Sequence, residues 1–203
     1  MSNTPFRWFK QNHHEGGISG ATLAHYPAVI QSRQGTVNHD LGHLIDIMPT
    51  VVELTGADYP ESIRGHKVKP YEGKSWVDAF HGKSIPAREY LYTQFHTNRA
   101  LFQGSFKISS FRGNAWELYN IEEDRSELND LAPENPEILS EMVRSWRAIA
   151  KEKDNLPERH FYEAPSEDLQ EAWGDRKGQD DLNPRSYQIF YEKLYPKLGF
   201  PID

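Results

Sequence analysis

Lys10, His13, His14 and Glu15 stand close together ahead of the glycine pair Gly16-Gly17. An ammonium can hold an anion, an imidazole can move a proton near neutral pH, and a carboxylate can act as a base. Neighbouring side chains point apart, so only one of the two histidines can share the direction of Lys10. A glycine pair lets the backbone turn sharply and come close to a ligand. Each residue also has a plainer reading: a surface lysine at a loop end, a packed or hydrogen-bonded histidine, and a glutamate whose ion pair fixes the turn. Farther on, His39 and His43 have the i,i+4 spacing of a zinc pair but lack the glutamate beside His39 of the usual helical motif. Asp40 and Asp46 offer oxygen to a hard cation, although Asp46 reads as a helix cap. No metal site is assigned.

The elements that must position these residues follow from spacing. The run 21–25 after the glycine pair reads as a buried strand. Apolar residues at 41, 44, 45, 48, 51 and 52 predict an amphipathic helix facing a core, with Pro49 near its start and Gly56 at its end. Residues 57–88 are rich in glycine, proline and charge, and read as a connection with one short helix over 76–81. Strand-like runs at 89–95, 99–102, 106–111 and 116–121, with Gly104 and Gly113 as turns, predict an antiparallel sheet of about four strands. Ile138, Leu139, Met142, Val143, Trp146, Ile149 and Ala150 form a stripe that predicts a helix packed across that sheet. Residues 151–203 read as an extended tail, with two helical turns over 187–194.

The totals bound the possibilities. A chain of 203 residues fits one domain, or a small domain with a piece of another. The net charge of −7 argues against nucleic acid and anionic membranes as partners. No apolar run approaches the ~18 residues of a membrane span, and no signal peptide is visible. The chain has no cysteine, so disulfides are excluded.

Lys10 ahead of Glu15-Gly16-Gly17-Ile18, with a strand-like run ending in Tyr26-Pro27, resembles the late active-site lysine segment of the type I sulfatases. The likeness continues in order. Asp46-Ile47-Met48-Pro49-Thr50 with Gly56-Ala57 resembles the family's Asp-x-x-Pro-Thr helix, and Gly73-Lys74-Ser75-Trp76 its Gly-Lys-Ser-Leu segment. Asn98-Arg99-Ala100 and Glu117-Leu118-Tyr119-Asn120 with Asp124 resemble its C-terminal sheet. The chain is thereby identified as similar to the C-terminal portion of an arylsulfatase-like protein.

The resemblance implies an α/β fold over 1–85, the end of the alkaline-phosphatase-like sulfatase domain. It implies a small α+β subdomain over 86–150. It implies hydrolysis of sulfate monoesters, with Lys10 contacting the sulfate and His14, His96, Asn98 and Arg99 as candidates for the substrate wall. Phe102 stands where the family commonly has a basic residue, so a preference for sulfated sugars is not implied. Calcium and a formylglycine nucleophile belong to the intact family enzyme. Their residues are expected outside this chain, in an N-terminal region joined in cis or supplied as a separate chain, and the isolated chain is expected to be inactive. Family members are often periplasmic or secreted. The reading from a different class is a non-catalytic remnant or interaction module that pairs with an N-terminal chain or a glycan.

Overall fold

The computed structural model describes residues 3–10, 12–30, 35–95, 98–111 and 114–154. In chain order its elements are α1 (Glu15–Ile18), a 3-10 turn (Leu44–Asp46), α2 (Ile47–Thr55), β1 (Ser62–Ile63), β2 (His66–Lys67) and α3 (Val77–Phe80). They are followed by β3 (Leu91–Phe95), β4 (Asn98–Gln103), β5 (Phe106–Ser110), β6 (Glu117–Asn120) and α4 (Pro136–Asp154). The chain divides into two compact units: Ala21–Arg88, and the described residues before and after it. The first twenty residues group with the later sheet.

That sheet is an antiparallel meander in the order β3-β4-β5-β6. Its register pairs Leu101 with Ile108, and Ile108 with Leu118. These three are fully buried and form one apolar row across a single face. α4 covers this face with Met142, Trp146 and Ala150, and Trp116 closes the cluster. Alternation sends the intervening row, Phe102, Lys107 and Tyr119, to the opposite face. That face is covered by residues of the first eighteen positions, which bring charged partners for Lys107 and Tyr119 and the Trp8 ring stacked on Phe111 at 4.5 Å.

The unit Ala21–Arg88 is built differently. α2 carries Pro49 in its first turn, where a missing N–H costs nothing because no intrahelical acceptor exists for it. Gly56 ends the helix with φ 64, in the left-handed region that favours glycine. α2 and its N-cap bury Asp46, Pro49 and Thr50, with the two polar residues carrying the hydrogen bonds. The expected apolar stripe faces outward instead: Leu44, Met48 and Val51 are exposed. The expected buried strand over 21–25 is also corrected. Residues 21–28 are exposed and belong to no ladder. A strand needs partners for its backbone groups, and the described residues provide none for it. The expected tail and its helical turns lie outside the described residues, apart from the end of α4.

Candidate functional site

The segment that holds Lys10 is pinned to the sheet on its C-terminal side. Asn12 donates to the Phe9 carbonyl through its backbone N–H at 3.2 Å and through its side-chain amide at 3.1 Å. This closes a tight turn with Lys10 near its tip. Lys10 is exposed, and among the described residues it makes no hydrogen bond or ion pair. Within a few residues the chain then becomes fully anchored. His13 Nδ1 lies 3.0 Å from Thr93 Oγ1 on β3. His14 Nε2 lies 2.5 Å from a Glu117 carboxylate oxygen on β6.

Glu15 reaches farthest inward. Its carboxylate accepts from Lys107 Nζ at 2.8 Å, and its backbone N–H donates to Glu127 at 2.7 Å. Lys107 also pairs with Glu127 at 2.8 Å. One fully buried ammonium therefore sits between two buried carboxylates, over the Phe102 ring at 4.7 Å. Arg7 donates to the Tyr119 hydroxyl at 2.5 Å and to the Glu127 carbonyl at 3.1 Å. Glu127 holds φ 56, which a non-glycine residue adopts at some cost. Its side chain and carbonyl are bound from three sides, which offsets that cost.

The glycine pair serves this anchoring. A Cβ on Gly16 would stand 2.1 Å from the Arg7 carbonyl, and one on Gly17 would stand 2.1 Å from the Asn12 carbonyl. The close approach is thus to the chain's own backbone and not to a ligand.

Burial sets the protonation of this cluster. Burial first, then the Lys107 charge and neighbouring His14, push the His13 imidazole down to about 4. Glu117 is pushed up by burial, but the His14 hydrogen bond and the charges of His14 and Arg7 outweigh that and hold it below the usual carboxylate range. Burial and the nearby Glu117 raise the Tyr119 hydroxyl well above its ordinary value. A neutral His13 and an ionised Glu117 suit fixed structure.

The other expected wall residues separate. Asn98 and Arg99 are adjacent on β4 and so point to opposite faces. Arg99 lies on the α4 side, 4.7 Å from the Trp116 ring and 5.5 Å from that of Trp146, and donates to Ser110 at 2.8 Å. It is 2% exposed, so it sits in the core rather than at a surface that a substrate reaches. Asn98 and His14 are also buried. His96 lies outside the described residues. The structure therefore leaves Lys10 alone at the surface among the described candidates.

A second polar cluster lies within Ala21–Arg88. The Asp46 carboxylate accepts from the N–H groups of His43 and Lys74 at 2.7 Å each, from Trp76 Nε1 at 3.2 Å, and from Arg88 at 2.6 Å. Burial pushes this carboxyl up, and those donors more than offset it, leaving it below its ordinary value. Asp46 caps the 3-10 turn through the His43 N–H, and its four donors come from three stretches: that turn, Lys74 to Trp76, and Arg88. Its oxygens are therefore committed. Asp40 in turn accepts from the Ile85 N–H at 2.8 Å. No group of three or more metal-ligating side chains exists among the described residues. Calcium does not fit here.

Sequence reading also passes over one match. Ser84-Ile85-Pro86-Ala87-Arg88 carries the serine form of the Cys/Ser-x-Pro/Ala-x-Arg spacing from which sulfatases make formylglycine. Its arginine is committed to Asp46 and its Ile85 N–H to Asp40, so the segment is a tie within this unit. The match assigns no nucleophile.

A family model described as N-sulphoglucosamine sulphohydrolase, C-terminal, matches residues 5–155. The chain belongs to this sulfatase family. An uncharacterized sulfatase of Schizosaccharomyces pombe is 30% identical over 139 residues, covering 65% of this chain and 25% of that protein. A dog N-acetylgalactosamine-6-sulfatase is 29% identical over 119 residues, covering 58% and 21%. A solved 2-O GAG sulfatase aligns at a TM-score of 0.39 and 20% identity, over 54% of this chain and 25% of that one. The chain spans roughly a quarter of the length of the curated relatives it matches. The four-stranded sheet with its packing helix is the C-terminal subdomain expected of a sulfatase. No helix of the described residues is long and apolar enough to cross a membrane.

Proposed function

We propose that this chain supplies the C-terminal part of an enzyme that hydrolyses sulfate monoesters, with Lys10 as its contribution to the active site. One observation carries the reading: an exposed ammonium sits on a locked turn, immediately before a stretch held by buried bonds to β3, β5 and β6. Sulfate transfer builds negative charge on the non-bridging oxygens, and a positioned compact cation stabilises it. Anchoring just behind the lysine fixes its direction without neutralising it. The nucleophile and any calcium site belong to an N-terminal region, in cis or as a separate chain, and no step is assigned to them here. Residues 21–88 are the end of the large α/β domain in this reading. The isolated chain is inactive.

The test is hydrolysis of an aryl sulfate by the intact protein and by Lys10→Ala. The expected result is a loss in kcat/KM of about 10²–10³, the scale of removing one oriented stabilising group, with unfolding unchanged. Equal activity in the variant would remove Lys10 from the site. Turnover by the isolated chain would overturn the division of labour. The runner-up, a non-catalytic module that pairs with a separate chain or a glycan, is favoured on its pairing half by the outward apolar face of α2.

A further inference from the structure

Two residues before Lys10, Trp8 holds φ 66, in the left-handed region that glycine fills easily and a bulky side chain fills only at a cost. Packing enforces this conformation. The Gly16 N–H donates to the Arg7 carbonyl at 2.8 Å. A Cβ on Gly16 would stand 2.1 Å from that oxygen and 2.3 Å from the Trp8 carbonyl. The backbone path through Arg7 and Trp8 is thus set by Gly16, and nothing in that path calls for an indole. A glycine at position 8 would follow it without strain. Strain of this kind collects where a side chain serves a ligand, and is held there by the surrounding structure.

The ring itself is fixed. It stacks on Phe111, with centroids 4.5 Å apart and planes at 25°, and its centroid lies 6.3 Å from that of His14. Phe111 is buried, whereas Trp8 is only half buried. An indole seated on a second ring, with part of its surface open, is a preformed platform for another flat group.

We infer that Trp8 determines specificity at the Lys10 site: its open surface receives the organic group of an aryl sulfate, while Lys10 holds the sulfate. The inference rests on Lys10 as the sulfate-binding cation. The sulfate group is the same in every ester, so the cation cannot choose between substrates. Choice requires a group that meets the rest of the molecule. Stacking needs only a flat face, so it favours aryl esters over small alkyl ones without reading individual substituents.

The experiment measures binding of naphthalene-2-sulfonate to the intact protein by calorimetry, and binding of methanesulfonate by its displacement of that probe. Both carry the same anionic head, and neither is hydrolysed. Trp8→Gly should weaken naphthalene-2-sulfonate about tenfold, the scale of one lost ring stack, and leave methanesulfonate unchanged. Trp8→Phe, which keeps a ring over Phe111, should retain most of the affinity. A retained urea transition shows that the variants fold. A Trp8 that only shapes the turn would displace Lys10 and weaken both anions alike, which overturns the inference. So does naphthalene-2-sulfonate binding that is absent from the wild type or indifferent to Trp8→Gly. Lys10→Ala separates this inference from the reading beneath it, since it should weaken both anions. No effect of Lys10→Ala, beside a loss confined to naphthalene-2-sulfonate in Trp8→Gly, keeps the aryl platform and removes Lys10 from the site.

Discussion

The large buried hydrophobic side chains of the described residues, from Leu91 to Ala150, all belong to the unit with the four-stranded sheet. That unit also buries Lys107, Glu15, Glu127 and Arg99, each held by partners. Ala21–Arg88 buries Asp46 and Thr50 and turns its apolar helix face outward. A finished core places apolar groups inside and compensates the charges it encloses. A unit organised on one carboxylate, with its apolar face outside, has the internal wiring of a domain without the covering layer. The difference teaches that hydrogen bonds can fix a local arrangement without hydrophobic burial around it.

The largest expected effect breaks the finished unit. Lys107→Met leaves two buried carboxylates facing each other and should cost about 3–5 kcal/mol, read by urea unfolding. Adding Glu15→Gln and Glu127→Gln should return most of it, because the penalty lies in the uncompensated charge. Recovery of nothing would mean that packing over Phe102, not charge, holds Lys107.

A paired leucine truncation sharpens the comparison. Leu118→Ala, in the fully buried row, should cost about 2–5 kcal/mol. Leu44→Ala, on the outward stripe, should stay within about 0.5 kcal/mol for the chain alone. Equal losses would mean that the stripe is covered within this chain.

Acid should act on the sheet unit through His13. Its folded value of about 4 lies below the ordinary 6.5, so the unfolded chain binds the extra proton between those values. Stability therefore falls as pH drops from about 6.5 towards 4, by up to about 3 kcal/mol for this group. The depressed Glu117 carboxyl adds a loss in the same direction at lower pH. His13→Gln should flatten the slope between pH 6.5 and 4. An unchanged slope would place the acid sensitivity elsewhere.

Asp46→Asn is the smaller perturbation: it keeps the shape and leaves Arg88 without its counter-charge, at about 1–3 kcal/mol. Its effect should appear in the amides near Lys74 and Trp76 and not in β3 to β6. Loss of the sheet signal as well would mean that the two units unfold as one.

Most of the sheet unit is legible in the sequence, because local signals decide it. Period-two alternation, Gly104 at a turn and the Met142-to-Ala150 stripe each act over a few residues. α2 is legible in its position and its Gly56 end, but not in the direction of its stripe, since periodicity marks a face without saying what lies against it. Ala21–His25 reads as buried for the same reason. The anchoring of the first residues is illegible because its bonds span 80 to 120 positions, from His13 to Thr93 and from Arg7 to Glu127. The alternation of β4 could have separated Asn98 from Arg99, since adjacent strand residues never share a face. The buried arginine between two tryptophans has no local signature at all.

The most direct measurement is amide hydrogen exchange on the chain alone. Slow exchange across Asn98–Gln103, Phe106–Ser110 and Glu117–Asn120, with fast exchange across Ile47–Thr55, is the result expected of a finished core beside an uncovered unit. Equal, strong protection of Ile47–Thr55 would contradict it, because that helix would then already hold all the cover it needs.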